Sequence, residues 1–242
     1  RDVLNFSSQR LMTFLETLDY LKKHKASFAR FGDGELRMML RPNYSLKFQR
    51  NSQALQSALK KTIMEGLKTE NNLLIGFPHP FDDRHWKIIW AQIWGETKPL
   101  FDNFEVLGDA HVSRPIVFSQ HPKEAVVAWR SLWDGLNVKI ITGKGSRFDP
   151  IPELFGTAKS IEFLWSTPTD AFEDIERLGQ ELSEDNSDIY VISLGPAGTV
   201  LASNLATKGK WALDIGHLSD SYLNVYEAAP RPESNPIVRP KK

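Results

Sequence analysis

Short apolar runs recur along the chain, each closing on Gly or a small polar residue. They are "SFARFG" (27–32), "NLLIGF" (72–77), "VKIITG" (138–143), "SIEFLWS" (160–166), "DIYVISLG" (188–195) and "KWALDIG" (210–216). "FEVLG" (104–108) is a shorter run of the same kind. Unbroken apolar runs of this length suit strands buried on both faces, as in a parallel sheet. The stretches between them repeat closer to every 3.6 residues. In 8–24, Leu11, Phe14, Leu15, Leu18 and Leu21 fall on one face and predict a single helix. Helices are also predicted over 51–67, 83–94, 122–136, 169–182 and 196–209. Thr169 or Asp170 is placed to cap the fifth of these six. Pro196 suits the first turn of the last and Gly209 its C-terminal cap.

Strand–helix alternation predicts an α/β fold with a largely parallel sheet flanked by helices. Right-handed crossovers then bring the strand exits to one rim, where open α/β sheets bind ligands. The pattern reads as one domain over 1–226. The Pro- and charge-rich stretch 227–242 reads as an arm or linker.

Composition narrows the function. The 242 residues are 41% hydrophobic, enough for a sizeable core. Lys+Arg and Asp+Glu both number 30, so the formal net charge is zero and the basic excess of a dedicated nucleic-acid binder is missing. Without cysteine, disulfides, thiolate metal sites and thiol nucleophiles are excluded. No apolar run approaches the ~20 residues of a membrane span, and no signal-peptide pattern is visible. A cytoplasmic setting is expected. The start at Arg1 and the ending "RPESNPIVRPKK" read as a trimmed chain or a domain of a longer protein.

The chemistry concentrates at the Gly-rich strand exits. In "FARFGDGEL" (28–36), Asp33 and Glu35 stand one residue apart between and after two glycines. Residues i and i+2 face the same way in an extended chain but lie roughly 200° apart on a helix. The two carboxylates therefore converge on one ion only if the backbone stays extended or turns, which Gly32 and Gly34 permit. Two hard oxygen ligands suit Mg²⁺ or Mn²⁺ on a substrate phosphate. An acidic turn opening the helix "ELRMML" explains the same residues.

In "ITGKGSRF" (141–148), Gly143 and Gly145 flank Lys144, and Ser146 and Arg147 follow. Backbone N–H groups in such a turn can nest an anion, and Lys144 or Arg147 can pair with phosphate. Neither the P-loop nor the complete dinucleotide fingerprint is present. In "SLGPAGTVLA" (193–202), a helix opens at Gly195-Pro196, and free N–H groups at a helix start bind anions. "LDIGHLSDSY" (213–222) offers His217 for proton transfer, metal or phosphate. "GDAHVSRP" (108–115) offers Asp109 as a base and Arg114 for bidentate anion pairing. Each also reads as an ordinary turn or polar loop. "GFPHPFDDRHW" (76–86) lacks H-E-x-x-H, and the seven tryptophans suit helix–sheet packing.

Taken in order, "FARFGDGE", "GDAHVSRP", "ITGKGSRF", "SLGPAGTVLA" and "LDIGHL" resemble the motifs of the GT-D-type glycosyltransferases, a family first catalogued as a domain of unknown function in bacterial glycosylation loci. The resemblance runs from about Phe28 to Tyr222. It implies a Rossmann-like domain that takes a sugar from a nucleotide-diphosphate sugar, such as a UDP-hexose. The acceptor would be a glycan on a bacterial surface glycoprotein or polysaccharide. The family's acidic D-x-E metal motif falls on Asp33 and Glu35. By position and chemistry, Arg30, Gly32, Arg114, Gly143 to Arg147 and Gly195 would hold the donor, with His217 and Asp109 as candidate catalytic groups. Other glycosyltransferase domains are the implied partners. A metal-dependent phosphohydrolase or nucleotidyltransferase would use the same carboxylates and nests, and an idle nucleotide- or partner-binding domain would keep the fold.

Overall fold

The apolar runs become seven strands in a computed structural model that describes residues 2–238. Arg1 and residues 239–242, the outer ends of the expected domain and arm, lie outside the described residues. The strands are β1 (Ser27–Arg30), β2 (Leu73–Phe77), β3 (Gly108–Asp109), β4 (Asn137–Gly143), β5 (Ser160–Ser166), β6 (Ile189–Ser193) and β7 (Ala212–Asp214). They form one sheet in the order β3-β2-β1-β7-β6-β4-β5, with every pairing parallel. Alternate residues enter two separate cores. β1 sends Ala29 to one and Phe28 to the other, β2 divides Ile75 from Leu74, and β6 divides Ile192 from Val191. Burial of both faces is why β1, β2, β6 and β7 show no alternation in the sequence. The 160–166 run departs from that expectation, since β5 is the sheet edge and leaves Phe163 and Trp165 exposed.

The helices are α1 (Asp2–Arg10), α2 (Phe14–His24), α3 (Asp33–Leu40), α4 (Gln53–Gly66), α5 (Arg84–Phe101), α6 (Pro115–Gln120), α7 (Glu124–Leu132), α8 (Pro152–Phe155), α9 (Ile175–Glu181), α10 (Pro196–Ala206) and α11 (Leu218–Tyr226). Helices α3, α4, α5, α9 and α10 cover one face of the sheet, and α2, α6, α7, α8 and α11 the other. No helix among the described residues is long and apolar enough to cross a membrane.

Four local expectations change. The single helix over 8–24 is two helices. Its backbone opens at Leu11 and Met12 to pair with Leu107, and Thr13 then starts α2 with a capping box closed by Glu16. That same pairing takes Leu107 out of the weak run 104–108, so β3 is only Gly108–Asp109. The 169–182 stretch opens as a 3₁₀ turn over Ala171–Asp174 before α9. Asp170 does not cap it, because its carboxylate bonds the Arg50 backbone N–H at 2.7 Å and Nε at 2.9 Å. Finally, α10 begins with Pro196 as expected but is capped by Thr207, and Gly209 turns the chain two residues later.

Candidate functional site

The chain builds β1 to β3 outward in one direction and places β4 to β7 on the other side, so β1 and β7 meet at the sheet's switch point. A cavity of about 350 Å³ opens there, beside the carboxyl ends of every strand except β2. This is the position and size expected of a small-molecule site in an open α/β sheet.

Arg30, the last residue of β1, organises the floor. Its Nη1 donates to the Ala110 carbonyl at 2.9 Å and the Ser113 hydroxyl at 2.7 Å, and its Nη2 stands 3.4 Å from Asp214 Oδ1 at the end of β7. Asp214 also accepts from the Thr199 hydroxyl on α10 and the Gly216 N–H. Burial pushes the Asp214 carboxyl up, against the pull of Arg30. Gly216 has φ 48°, and a Cβ there would lie 2.0 Å from Arg30 Nη2. Only glycine lets the chain pass over the guanidinium.

Asp33 and Glu35 both line the cavity, but on a helical backbone. Asp33 is the first residue of α3, so the extended or turned segment that would let i and i+2 face one way is not formed. Glu35 instead folds back to the helix start, where its Oε2 accepts the Gly32 N–H at 2.9 Å. Burial, then the Asp214 charge, push its carboxyl up to about 7. The Asp33 carboxylate makes no hydrogen bond to any described residue, and both carboxylates act electrostatically on Arg114. No group of three or more acidic or histidine side chains among the described residues is placed to hold a metal. The donor set is thus two hard oxygens in a cavity with arginines opposite. The helical backbone separates the pair, and Glu35 Oε2 is spent on the Gly32 N–H. The Asp33 carboxylate and the other Glu35 oxygen therefore form a partial donor set. It suits a small divalent cation carried in on a phosphate with water in its other positions, and not a caged structural ion.

Arg114 and Arg147 bring positive charge to the wall. Burial, then Arg30, push Arg114 down to about 10, which leaves it cationic at neutral pH. Arg147 Nη2 donates to His217 Nδ1 at 2.9 Å, and its Nε stands 3.4 Å from Asp220. Burial and these arginines push His217 well below the ordinary histidine range. His217 is therefore neutral, and Arg147 Nη2 lies within hydrogen-bond distance of both ring nitrogens, 3.2 Å from Nε2. That suits a fixed hydrogen-bonding group better than a base.

Gly32, Gly143, Ser146 and Gly195 also line the cavity. Lys144 and Gly145 do not. The turn curls away from the cavity there, Lys144 is exposed, and its N–H is taken by the Ser166 carbonyl at 2.8 Å. Asp109 also stays off the wall as a buried bracket beneath the loop. Its carboxylate meets His79 Nδ1 at 2.7 Å and the His111 N–H at 2.8 Å. It is His111, two residues on, that reaches the cavity. Phe48, Asp220 and Glu233 reach it too, and none of them was singled out from the sequence. Asp220 lies inside the 213–222 stretch, beside the more conspicuous His217. Phe48 and Glu233 lie in loops whose apolar and charged residues carry no periodic signal.

A model of the glycosyltransferase GT-D fold matches residues 28–230. The chain is 29% identical over 219 residues to "Glycosyltransferase GlyD" of Streptococcus pneumoniae serotype 4, covering 86% of this chain and 26% of that protein. It is 27% identical over 219 residues to "Probable glycosyl transferase Gly" of Streptococcus gordonii, covering 86% and 32%. The chain thus spans between a quarter and a third of these relatives. A solved structure of domain of unknown function 1792, described as a distinct glycosyltransferase fold, superposes with a TM-score of 0.78 at 26% identity, over 93% of this chain and 84% of that one. One described as a new glycosyltransferase from Streptococcus sanguinis superposes with a TM-score of 0.76 at 24% identity, over 91% and 85%, a likeness of fold.

Proposed function

We infer the activity of this chain from the fact that it belongs to the GT-D glycosyltransferase family. We propose that it moves a sugar from a nucleotide-diphosphate sugar, a UDP-hexose being the first to test, to a glycan acceptor on a bacterial surface glycoprotein or polysaccharide. The reaction would run in the cytoplasm, alongside other glycosyltransferase domains. The observation that carries this reading is one cavity at the switch point that brings together Asp33 and Glu35, the half-buried Arg114 and Arg147, and an uncharged His217.

Glycosyl transfer must stabilise the negative charge that grows on the departing diphosphate. Arg114 and Arg147 are the side chains that would meet it, with the start of α10 at Gly195 beside them. Asp33 and Glu35 would hold Mn²⁺ or Mg²⁺, which when bound supplies further positive charge to the phosphates. His217 would line the donor's place as a fixed neutral group, its ring held by Arg147 Nη2, which lies 2.9 Å from Nδ1 and 3.2 Å from Nε2. Phe48, half-buried against Gly195, gives a flat apolar wall for the base or sugar.

The test is a panel of UDP- and GDP-sugars with Mn²⁺, read by thermal shift and by product analysis with a glycan acceptor. A glycosylated product together with a nucleotide-specific rise in melting temperature supports the reading. Release of phosphate or sugar alone, with any acceptor offered, points to a hydrolase. Binding without turnover points to an idle domain.

A further inference from the structure

After α11 the chain reverses and runs back across the cavity. Ala228 takes the left-handed conformation at φ 53°, and Asn224 Nδ2 holds the Ala229 carbonyl at 2.7 Å. A single 3₁₀ turn, Pro232–Ser234, follows, and the segment ends against Ser146 in an isolated bridge at Val238. Its contacts fall on two of the cavity arginines, Arg114 and Arg147. The Glu233 carboxylate pairs with Arg114. The carbonyls of Pro232 and Asn235 both accept from Arg147 Nη1, the second at 3.0 Å. Ile237 closes the cavity wall beside them.

We propose that residues 231–238 form a strap that occupies the diphosphate's place on Arg114 and Arg147, and that a diphosphate must displace it to bind. The proposal rests on the reading of this cavity as a diphosphate site. The chemistry of the two occupants is the same in kind. A carboxylate and two carbonyls offer oxygen acceptors to guanidinium groups, and a diphosphate offers more oxygens and more charge to the same donors. The strap is also weakly held. Glu233 is exposed, and exposed ion pairs contribute little. Among the described residues its one backbone bridge is to the turn at Ser146, and no strand pairing joins it to the sheet. The strap thus sets a threshold for occupancy: anions weaker than a diphosphate meet Glu233 as a competitor.

The test uses the full chain and its Glu233→Gln variant, which removes the charge from an exposed side chain and leaves the core untouched. Inorganic pyrophosphate, UDP and GDP are titrated by calorimetry. The variant should bind the diphosphate about two- to five-fold more tightly, the range set by an exposed ion pair. Equal tightening for pyrophosphate and for a nucleotide assigns the effect to the diphosphate itself. Tightening confined to a nucleotide overturns the assignment of the strap to the phosphate subsite. Hydrogen exchange gives a second reading. The N–H groups of Ser234 and Asn235, bonded to Arg231 and Pro232, should exchange faster when pyrophosphate is bound. Unchanged or weaker binding in the variant, or slower exchange with ligand, overturns the strap and leaves the functional reading standing. No diphosphate binding in either protein removes both.

Discussion

Arg30 Nη2 and Asp214 Oδ1 stand 3.4 Å apart at the exits of β1 and β7, the two strands between which the strand order reverses. The pair joins the halves of the domain under the cavity floor. Asp214 is almost wholly buried, so removing it strands a guanidinium whose Nε already lacks a partner. Asp214→Ala is expected to cost about 3 kcal/mol, as for other broken buried pairs. Urea denaturation measures it. A loss within experimental error of zero would mean that the pair does not hold the switch point together.

Glu35 gives stability a pH dependence. Its folded pKa of about 7 is above the ordinary 4.5, so between these values the native state binds more protons than the unfolded one. Stability therefore falls as pH rises from about 4.5 through 7 and is level above, with the protonated form favoured by the fold. The expected fall is on the order of 1–2 kcal/mol, reduced because the carboxyl opens to cavity water. Glu35→Gln should flatten that slope while keeping the acceptor for the Gly32 N–H. Unfolding curves at pH 5, 6, 7 and 8 on both proteins check it, and equal slopes would remove Glu35 as the source.

The strands are legible because unbroken apolar runs mark them, and six of those runs are the strands expected there, although β5 lies at the sheet edge with Phe163 and Trp165 exposed. The split at Leu11 was not readable, since its cause is Leu107, far away in the chain. At the site, the rim rule brought Asp33, Arg114, Arg147, Gly195 and His217 into one cavity from separate stretches. What spacing alone could not give was side-chain direction. Asp109 and His111 are near neighbours, yet one is a buried bracket and the other faces the cavity. Glu35 likewise turned inward as a cap once Asp33 began a helix.

Asp33 and Glu35 differ in what they do without metal, and this separates their variants. Asp33→Asn removes a carboxylate with no hydrogen bond to any described residue. It should leave the melting temperature within about a degree of the parent, as surface changes do. It should also abolish the extra thermal shift that Mn²⁺ gives in the presence of UDP, together with metal-dependent turnover. Glu35→Gln should lose the same metal effects but carry the altered pH slope as well. Full turnover of either variant, or of the parent in excess EDTA, would sink the metal assignment.

Gly195 and Gly145 both have positive φ, 57° and 73°, but only Gly195 lies on the cavity. Alanine at either position is strained and should cost about 1–3 kcal/mol in thermal or urea unfolding. The two differ in what their Cβ meets. At Gly145 nothing lies within 4 Å, whereas at Gly195 the Phe48 ring would be 2.4 Å away. Gly195→Ala must therefore push Phe48 off the start of α10, and nucleotide affinity should fall about ten-fold or more, by analogy with the loss of one aromatic contact. Gly145→Ala should leave that affinity unchanged. Calorimetric titration of UDP into both variants, at a temperature where both are folded, makes the comparison. Equal losses would show that backbone strain, and not the Phe48 wall, sets the affinity.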